Sequence, residues 1–375
     1  MKKLRIGIDA LPLTMQRTGV TNYIFYLLEE LLILLPDCEF YLYAHVRSGD
    51  LEYFARYPHV TICTEARLSQ SLSIWVQTTL AHFLYRDRID VFWATSQAYP
   101  LLNRKQMKVL FTIYDFVYLL YPETMTTIKR FAHKLLTPAL LKRADFILPI
   151  SHGTAKRLKG YYGCDHDIVI EPPIKPWLKP IESAILEPWL LEKNLAYKEY
   201  FLAIGTIEPR KNFEEILTLY ASVIDAHDPA KVLPLVVMGG DGWKASRVKV
   251  LLAELNRKYP QNVLAIGYAS EEDQWRYLSG ARFLLMMSHY EGYGMPIAEA
   301  RVCGTDIICT DDLEMREAAQ ECGTFIGKED IREKLAPLFL DIPAPCVDQG
   351  KKTYPSNREK AARMAAIVSS LSTTK

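Results

Sequence analysis

The sequence predicts an α/β protein built from two doubly wound domains. Short apolar runs alternate with amphipathic helical patterns along nearly the whole chain, which is typical of parallel sheets covered by helices on both faces. The alternation breaks once, at residues 171–180, where the segment EPPIKPWLKP places four prolines in ten residues. Because 375 residues exceed the size of one ordinary domain, we expect a domain boundary there.

The first predicted domain covers residues 1–172. Its strand patterns fall at residues 4–8, 39–44, 60–63, 91–94, 109–113 and 146–150. Helical spacing of apolar residues predicts helices at residues 22–35 and at about 69–86, 126–142 and 152–162. Ligands bind such sheets outside the carboxyl ends of the strands, so functional residues are expected in the loops that follow strands.

The second predicted domain covers residues 181–350. Its predicted strands lie at residues 200–204, 233–238, 263–266, 283–287 and 306–309. Its predicted helices lie at residues 213–227, 243–259, 271–280 and 296–302. A final helix is expected over residues 356–372, because Ser356 and Glu359 have the spacing of a capping box.

Composition and charge exclude several classes of protein. A formal net charge of +1 with 24% charged residues does not suggest a nucleic-acid binder or a disordered chain. Residues 1–180 carry 22 Lys and Arg against 16 Asp and Glu, whereas residues 181–375 carry 23 against 28. A basic first half would suit an anionic acceptor or an anionic membrane surface, and an ordinary solvated surface is the equal alternative.

The cysteines and the N-terminal segment indicate a cytoplasmic protein. Seven cysteines are scattered without a C-x-x-C pair, which argues against a disulfide framework or a zinc site and for a reducing compartment. The N-terminal apolar run is interrupted by Asp9, so a first strand is favoured over a signal peptide. With no apolar stretch of membrane-spanning length, only peripheral attachment at the cytoplasmic membrane face stays open.

The segment SHYEGYGMPIAE over residues 288–299 carries the strongest functional signal. Pro296 suits the start of a helix, and no Ser, Thr, Asp or Asn stands just before it as a cap. The amides near residues 297–298 therefore lack a side-chain partner, which a bound phosphate could supply. Gly292 and Gly294 allow a close approach of the backbone to a ligand. Carboxylates such as Glu291, in the loop, and Glu299, in the expected first helical turn, accept hydrogen bonds from sugar hydroxyls.

Three further loops follow predicted strands. In GTIEPRKN over residues 205–212, the adjacent cations Arg210 and Lys211 could hold a diphosphate, although a solvated basic turn is the alternative. Gly19 could approach a phosphate by its backbone, and the loop MGGDG, which contains Gly239, could line the same ligand site by its backbone. Neither loop has the G-x-G-x-x-G spacing of a dinucleotide site, and no phosphate-binding loop of the G-x-x-x-x-G-K-[ST] type occurs.

These motifs resemble those of the retaining GT-B glycosyltransferases of family 4 over nearly the whole chain. The E-x7-E pattern with GYGMPIAE and the segment GTIEPRKN carry the resemblance, and GYAS over residues 267–270 and PISHGTA over residues 149–155 support it. The resemblance implies two Rossmann-like domains facing across a cleft, the first binding the acceptor and the second the nucleotide sugar. It also implies that the C-terminal helix crosses back to pack on the first domain.

The resemblance implies a role for each motif position. Glu291 would contact the donor sugar near the reacting carbon, and Glu299 would bind the ribose. Arg210 and Lys211 would hold the diphosphate, with Gly19 closing over it from the first domain. Gly267 and Tyr268 would contact the nucleobase. The remaining positions would line the donor site: Gly205, Gly239, Gly292, Tyr293, Gly294, Met295, Pro296 and Ile297.

Two departures from the family pattern stand out. Where the family often has a His–Asp pair facing the acceptor, this chain has Tyr114 and Asp115, so Asp115 is the candidate for orienting the acceptor. Asp306 replaces a common proline, and we have no functional account of it. The family mechanism implies transfer with retention of configuration and without a metal or other cofactor.

The resemblance implies a hexose donor without naming it. Relatives with EPRKN often act on mannose in the assembly of surface polysaccharides such as lipopolysaccharide O-antigen, so GDP-mannose is the first expectation, onto a glycan or lipid-linked glycan. UDP-glucose, a rhamnose donor and a non-catalytic sugar-binding subunit remain alternatives, as does an epimerase acting without an acceptor. The apolar helix near residues 69–86 is either core or a contact for a lipid-linked acceptor.

Overall fold

The computed structural model describes residues 3–65, 71–101, 106–124, 127–344 and 353–372. The chain divides into two compact units, which are described separately. Unit 1 comprises Met1–Lys175 with Tyr354–Lys375, and unit 2 comprises Pro176–Thr353. The boundary between Lys175 and Pro176 lies inside the proline-rich segment, as the sequence predicts. Prolines can neither continue a helix nor pair in a central strand, so this segment forms a linker between the two units.

Unit 1 contains a six-stranded parallel sheet in the order β3-β2-β1-β4-β5-β6. Its strands are β1 (Arg5–Asp9), β2 (Glu39–Ala44), β3 (Val60–Thr64), β4 (Val91–Ala94), β5 (Lys108–Ile113) and β6 (Phe146–Pro149). The strand order reverses between β1 and β4, which is the position where doubly wound sheets bind ligands. Strands such as β4 are buried along their whole length because helices cover both faces of the sheet.

Helices follow the strands of unit 1 as the sequence predicts, with short additions. They are α1 (Gly19–Leu34), α2 (Gly49–Glu52), α3 (Leu72–Trp75), α4 (Ala81–Arg86), α5 (Val117–Leu120), α6 (Thr127–Arg143) and α7 (His152–Tyr162). The helix expected near residues 69–86 contains a π-helical turn at Val76–Leu80 that joins α3 to α4, and its first two residues lie outside the described part of the chain. Trp75, Leu80 and Phe83 of this stretch are buried in the core, which favours the core interpretation.

Unit 2 contains a second six-stranded parallel sheet in the order β12-β11-β10-β7-β8-β9. Its strands are β7 (Phe201–Ile204), β8 (Leu235–Met238), β9 (Val263–Gly267), β10 (Phe283–Met286), β11 (Asp306–Thr310) and β12 (Thr324–Ile326). Its helices are α8 (Ser183–Leu191), α9 (Phe213–Ala226), α10 (Ser246–Lys258), α11 (Glu271–Gly280), α12 (Met295–Val302), α13 (Leu313–Ala318) and α14 (Ile331–Leu338). The two parallel sheets confirm the predicted α/β fold class.

Four elements of unit 2 have no clear signal in the sequence and were not predicted. The edge strand β12 has only three residues, which is too short for a periodic pattern. Helices α8 and α14 each contain an internal proline, and α13 has only six residues, so none gives a clear helical signal.

The C-terminal helix α15 (Asn357–Ser372) packs on unit 1, as predicted. The expected capping box is present: the amide of Glu359 donates to Oγ of Ser356 at 3.1 Å, and the amide of Ser356 donates to Glu359 at 2.6 Å. Lys360 is fully buried and donates to the carbonyl of Pro172 at 2.8 Å. The helix thereby fixes the chain just before the boundary between the units.

Six of the seven cysteines lie in the described residues. Five of them are free thiols, namely Cys38, Cys63, Cys164, Cys303 and Cys309. Cys322 is disulfide-bonded, and one bridge does not contradict the expectation that the chain has no disulfide framework. Scattered spacing excludes a compact framework but not a single bridge, since residues distant in sequence can meet in the fold. Cys346 lies outside the described residues.

Candidate active site

The candidate donor site lies in unit 2, at the carboxyl ends of β7 and β10. These two strands pair in parallel in the middle of the sheet, so the loops that follow them emerge at the same edge. The amide of His289 donates to the carbonyl of Arg210 at 2.8 Å and ties the two loops together. The segments that the sequence singled out around residues 205–212 and 288–299 are therefore neighbours in the fold.

A single carboxylate bridges the two predicted cations. The Nζ atom of Lys211 lies 2.6 Å from Oε1 of Glu291, and Nη1 of Arg210 lies 3.1 Å from Oε2. All three side chains are largely withdrawn from solvent, with exposed fractions of 13%, 14% and 10% for Lys211, Arg210 and Glu291. A solvated basic turn would leave its cations exposed, so this arrangement is a buried polar cluster.

Arg210 has two further acceptors that fix its guanidinium group. Its Nη2 lies 2.5 Å from Oε1 of Glu208, and its Nη1 donates to the carbonyl of Tyr290 at 2.5 Å. Sequence reasoning missed Glu208 as a site residue. The available signal was its position inside EPRKN, directly before the short 3-10 turn Pro209–Lys211 that carries both cations.

The electrostatics of this cluster favour an ionised Glu291. Burial raises the pKa of its carboxyl, but the charges of Lys211 and Arg210 outweigh burial and hold that pKa below its ordinary value. The positive charges of the two cations balance the negative charges of Glu208 and Glu291. An anion that binds here must therefore share cations that already have carboxylate partners.

Helix α12 begins without a side-chain cap, as the sequence suggests. Gly294 is its N-cap residue at a φ of 101°, a left-handed conformation that favours glycine. The amides of Ile297 and Ala298 donate to the carbonyl of Gly294 at 2.9 and 3.4 Å. These amides have no side-chain partner, as expected, but the first turn closes tightly enough to give them a backbone acceptor. A phosphate would have to share them with that carbonyl.

The other residues of this loop differ in accessibility. The helix starts at Met295, one residue before Pro296, which places Glu299 in its second turn rather than its first. Tyr293 and the side chain of Ile297 are buried, whereas Gly292 and Met295 are partly exposed. Ile297 can therefore reach a ligand only by its backbone.

Glu299 is a buried carboxylate on α12, with an exposed fraction of 4%. Its Oε2 accepts a hydrogen bond from Nε2 of Gln274 at 3.0 Å. Gln274 belongs to α11 and is half-buried. Glu299 was predicted from its motif, whereas its amide partner, which lies 25 residues earlier in the chain, was not.

The loops after β8 and β9 extend the same edge of the sheet. A Cβ atom on Gly239 would lie 1.8 Å from the carbonyl oxygen of Gly205, so these two backbones are in direct contact. Gly267 ends β9 in a left-handed conformation with a φ of 71°. Tyr268 follows it with 67% of its surface exposed. The sheet order places the β8 loop between the cations after β7 and the exposed tyrosine after β9.

The predicted residues of unit 1 lie at the carboxyl edge of their own sheet. Gly19 is the first residue of α1, whose N-cap Thr18 makes no capping hydrogen bond with its side chain. Oδ1 of Asp115 accepts the amide of Val117 at 3.0 Å and so helps to start α5. The hydroxyl of Tyr114 is buried and finds no hydrogen-bond partner among the described residues. Burial raises the pKa of that hydroxyl well above its ordinary value.

Asp9, which in the sequence stands out only as the residue that interrupts the first apolar run, is a buried acid. It is fully buried at the carboxyl end of β1 and accepts the amides of Leu11 and Ser96 at 3.2 and 3.1 Å, as well as the Ser96 hydroxyl. Burial raises the pKa of Asp9 to about 6, although these hydrogen bonds act against the shift. It joins the ends of β1 and β4, where the strand order reverses.

An Asp-x-Asp triplet, residues 165–167, belongs to unit 1. Asp165 pairs with Lys159 at 2.8 Å, and Asp167 accepts the amide of Ile147 at 2.8 Å. Within the described part of the chain, no three His, Cys, Asp or Glu side chains come together in a way that could hold a metal ion. None of the helices in the described residues combines the length and hydropathy of a membrane-spanning segment.

Comparison with known proteins gives concordant matches. The family description "Glycosyl transferases group 1" matches residues 192–336, which include every candidate donor residue of unit 2. The O-antigen chain mannosyltransferase B of Escherichia coli is 26% identical over 200 residues, which are 53% of this chain and 49% of that protein. The chain thus spans about half the length of this curated relative.

Solved structures share the fold over the full chain. Sucrose-phosphate synthase from Thermosynechococcus elongatus superposes with a TM-score of 0.71 at 17% identity, with all of both chains covered. HepE from Anabaena, in complex with UDP and glucose, superposes with a TM-score of 0.64 at 14% identity, covering 98% of this chain and 95% of that one. At these identities the likeness concerns the fold.

Proposed function

We propose that the chain, which matches the group 1 glycosyl transferase family over residues 192–336, transfers a hexose from a nucleotide-sugar donor to a glycan or lipid-linked glycan. The observation that carries the proposal is the buried bridge of Lys211 and Arg210 by Glu291. It combines two cations suited to a diphosphate with a carboxylate suited to sugar hydroxyls, within hydrogen-bonding distance of one another.

In the proposed mechanism the two cations bind the diphosphate and stabilise it as the leaving group. Negative charge grows on the phosphate oxygen as its bond to the anomeric carbon breaks, and buried cations stabilise that charge more than solvent does. Glu291, kept ionised by the same cations, accepts hydrogen bonds from the donor sugar and positions the anomeric carbon. Glu299 accepts hydrogen bonds from the ribose hydroxyls.

We propose retention of configuration with same-face attack by the acceptor. The acceptor oxygen forms the new bond to the anomeric carbon while the bond to the diphosphate breaks, and the acceptor proton passes to the departing phosphate. In this scheme Arg210 and Lys211 supply the neutralising charge, and no metal ion is required. Asp115, just after β5, is the proposed acceptor-orienting residue of unit 1.

The proposed donor is GDP-mannose. This choice is supported by the mannosyltransferase named among the relatives and by the EPRKN segment. UDP-glucose is the main alternative, because a protein of the same fold binds UDP and glucose. A rhamnose donor is the third. The name of the relative likewise supports O-antigen or other surface-polysaccharide assembly as the setting.

We further propose peripheral contact with an anionic membrane surface through α6. This 17-residue helix carries five Lys and Arg and no Asp or Glu. Phe131 and Leu135, one turn apart on it, are 67% and 63% exposed, and Arg130 and Lys134 beside them are exposed as well. Apolar side chains flanked by cations suit the interface of an anionic bilayer, where a lipid-linked acceptor would reside.

A donor panel tests the proposed function. The full chain is incubated with GDP-mannose, UDP-glucose, dTDP-rhamnose and GDP-rhamnose, each with a set of oligosaccharide acceptors, and release of nucleotide diphosphate is measured. We expect one donor to be turned over only with an acceptor present, and Lys211→Ala to abolish turnover. Failure of every nucleotide to bind, together with no effect of Lys211→Ala, overturns the proposal.

The panel also separates the alternatives. A non-catalytic sugar-binding subunit would bind a donor without releasing nucleotide diphosphate under any acceptor. An epimerase would convert the sugar of the donor without an acceptor. Thermal shifts with GDP, UDP and dTDP distinguish the donors, and a clear preference for UDP would replace GDP-mannose by UDP-glucose as the donor.

A further inference from the structure

We propose that Gln274 is a positioning residue for the nucleoside part of the donor, acting through Glu299. The inference rests on the proposed function, because it takes Glu299 as the residue that binds ribose. Its basis is the hydrogen bond of 3.0 Å from Nε2 of Gln274 to Oε2 of Glu299, which connects α11 to α12.

The chemistry of the amide suits this task. A hydrogen bond from a neighbouring donor to one oxygen leaves a buried carboxylate few accessible rotamers. A neutral amide donor orients the carboxylate in this way and leaves its negative charge in place. A lysine or arginine at the same place would form an ion pair and compete with the sugar hydroxyls for the carboxylate. Gln274 therefore orients Glu299 and preserves its strength as an acceptor.

The position of Gln274 is itself determined by the start of α11. Oγ of Ser270 accepts the amide of Asp273 at 3.1 Å, and the carbonyl of Ser270 accepts the amide of Gln274 at 2.9 Å. Trp275, the next residue, donates its indole N–H to the carbonyl of Lys179 at 2.7 Å. The helix is thus held at its first turn by a side-chain cap and a tertiary hydrogen bond.

This geometry connects two parts of the donor subsite. Ser270 follows directly on the loop of Gly267 and Tyr268, the proposed contact with the nucleobase. The chain of contacts runs from that loop through the cap of Ser270 and the side chain of Gln274 to Glu299. A displacement of the base loop is therefore transmitted to the carboxylate that binds ribose, and recognition of base and ribose is coupled.

Two substitutions test the proposal. Gln274→Met keeps the length of the side chain and removes the donor group, so we expect the KM for the donor to rise about tenfold while kcat changes less than about twofold. Gln274→Glu places a second carboxyl against Glu299, where the pair shares a proton at low pH and repels when both ionise. We expect its donor KM to rise with pH across the neutral range, and near-normal KM to return at acidic pH.

A binding measurement separates positioning from a structural role. Calorimetry compares the nucleoside diphosphate released by the active donor with inorganic pyrophosphate. We expect Gln274→Met to weaken the nucleotide about tenfold and to leave pyrophosphate unchanged, because only the nucleotide carries a ribose. Gln261→Glu, an exposed substitution just before β9 at the opposite edge of the sheet, is the matched control and is expected to change neither affinity.

The outcomes distinguish this inference from the proposed function. If Gln274→Met leaves nucleotide affinity and donor KM unchanged while Glu299→Ala raises both, Gln274 does not position Glu299 and the inference fails alone. Equal weakening of nucleotide and pyrophosphate by Gln274→Met also overturns it, since that pattern reports a general disturbance of the site. If Glu299→Ala leaves nucleotide binding intact, the assignment of ribose to Glu299 fails and the inference fails with it.

Discussion

The Nζ atom of Lys211 lies 2.6 Å from Oε1 of Glu291, and this buried ion pair joins two segments 80 residues apart in sequence. The pair unites the proposed contact for the leaving diphosphate with the proposed contact for the sugar. The charge of the lysine keeps the carboxylate ionised. The carboxylate in turn is the ion-pair partner of the lysine until an anionic ligand binds.

A double-mutant cycle on this pair separates stability from activity. Lys211→Met leaves the buried charge of Glu291 with Arg210 alone, so we expect a loss of about 3 kcal/mol in the free energy of unfolding. Adding Glu291→Gln should recover much of that loss, while kcat/KM stays reduced by about 100-fold or more in all three variants. Lys249→Met, which breaks an exposed pair with Asp241, is the control with an expected effect below about 1 kcal/mol. Additive losses in the cycle would contradict the coupling.

We expect the free energy of unfolding to fall at acidic pH, in part because Glu291 becomes protonated. The ordinary pKa of its carboxyl is 4.5 and the folded value is lower, so its stabilising contribution is present above pH 4.5 and is lost as pH falls through the folded pKa. We expect the difference in unfolding free energy between the wild type and Glu291→Gln to be constant above that pH and to shrink below it. Urea unfolding at several pH values between 7 and 3 measures this, and a difference independent of pH would argue against the lowered pKa.

Asp9 should have the opposite pH dependence. Its folded pKa of about 6 lies above the ordinary 3.8, so the stability it contributes is fully present below pH 3.8 and is lost as pH rises through 6. We expect the wild type to lose up to about 3 kcal/mol relative to Asp9→Asn over that interval. Thermal unfolding of both proteins between pH 4 and 8 tests this. Parallel curves would mean that Asp9 is ionised throughout.

The contact of Gly239 with Gly205 predicts a position-specific effect of alanine. A Cβ atom at residue 239 would overlap the carbonyl oxygen of Gly205, whereas one at residue 240 would meet nothing within 4 Å. We therefore expect Gly239→Ala to lower both the Tm and the donor affinity, because it displaces the loop that leads to Arg210. Gly240→Ala is the matched control, and equal behaviour of the two variants would exclude a role for this backbone contact.

Membrane contact through α6 should depend on its exposed apolar side chains. We expect the wild type to co-sediment with vesicles containing about 30% anionic lipid, and less at high salt because screening weakens the attraction of its cations. The double variant Phe131→Ser with Leu135→Ser should bind less. Ile185→Ser with Leu191→Ser removes two similarly exposed apolar side chains from α8 in unit 2 and should bind normally. Equal loss in both double variants, or wild-type binding to purely neutral vesicles, would refute a specific role for α6.

Local patterns predicted most elements of the fold. Strand β2 and helix α11 have the predicted bounds because their apolar spacing and capping residues are local signals. Short elements such as β12 escaped prediction, since they form only through pairing with neighbours already in place. The π-helical turn between α3 and α4 likewise has no signature in the apolar spacing of the sequence.

In the candidate donor site, too, the residues with local sequence signals were predicted and their tertiary partners were not. Its cations and its two glutamates were predicted from short motifs that follow strands, where chemistry-bearing residues of doubly wound sheets belong. Their partners were not predicted. Glu208 contacts Arg210 through the geometry of a 3-10 turn, and Gln274 reaches Glu299 only because α11 and α12 lie side by side.

The sequence by itself determined the alternation of strands and helices, the boundary near Pro176 and the identity of the motif residues of the candidate donor site. These follow from periodicity, proline geometry and residue type, which are properties of short segments. Only the tertiary structure decided that Glu291 bridges Arg210 and Lys211, and that the carbonyl of Gly294 accepts the first amides of α12. Those facts depend on the order in which parallel strands pair, and that order brings together segments that the chain keeps far apart.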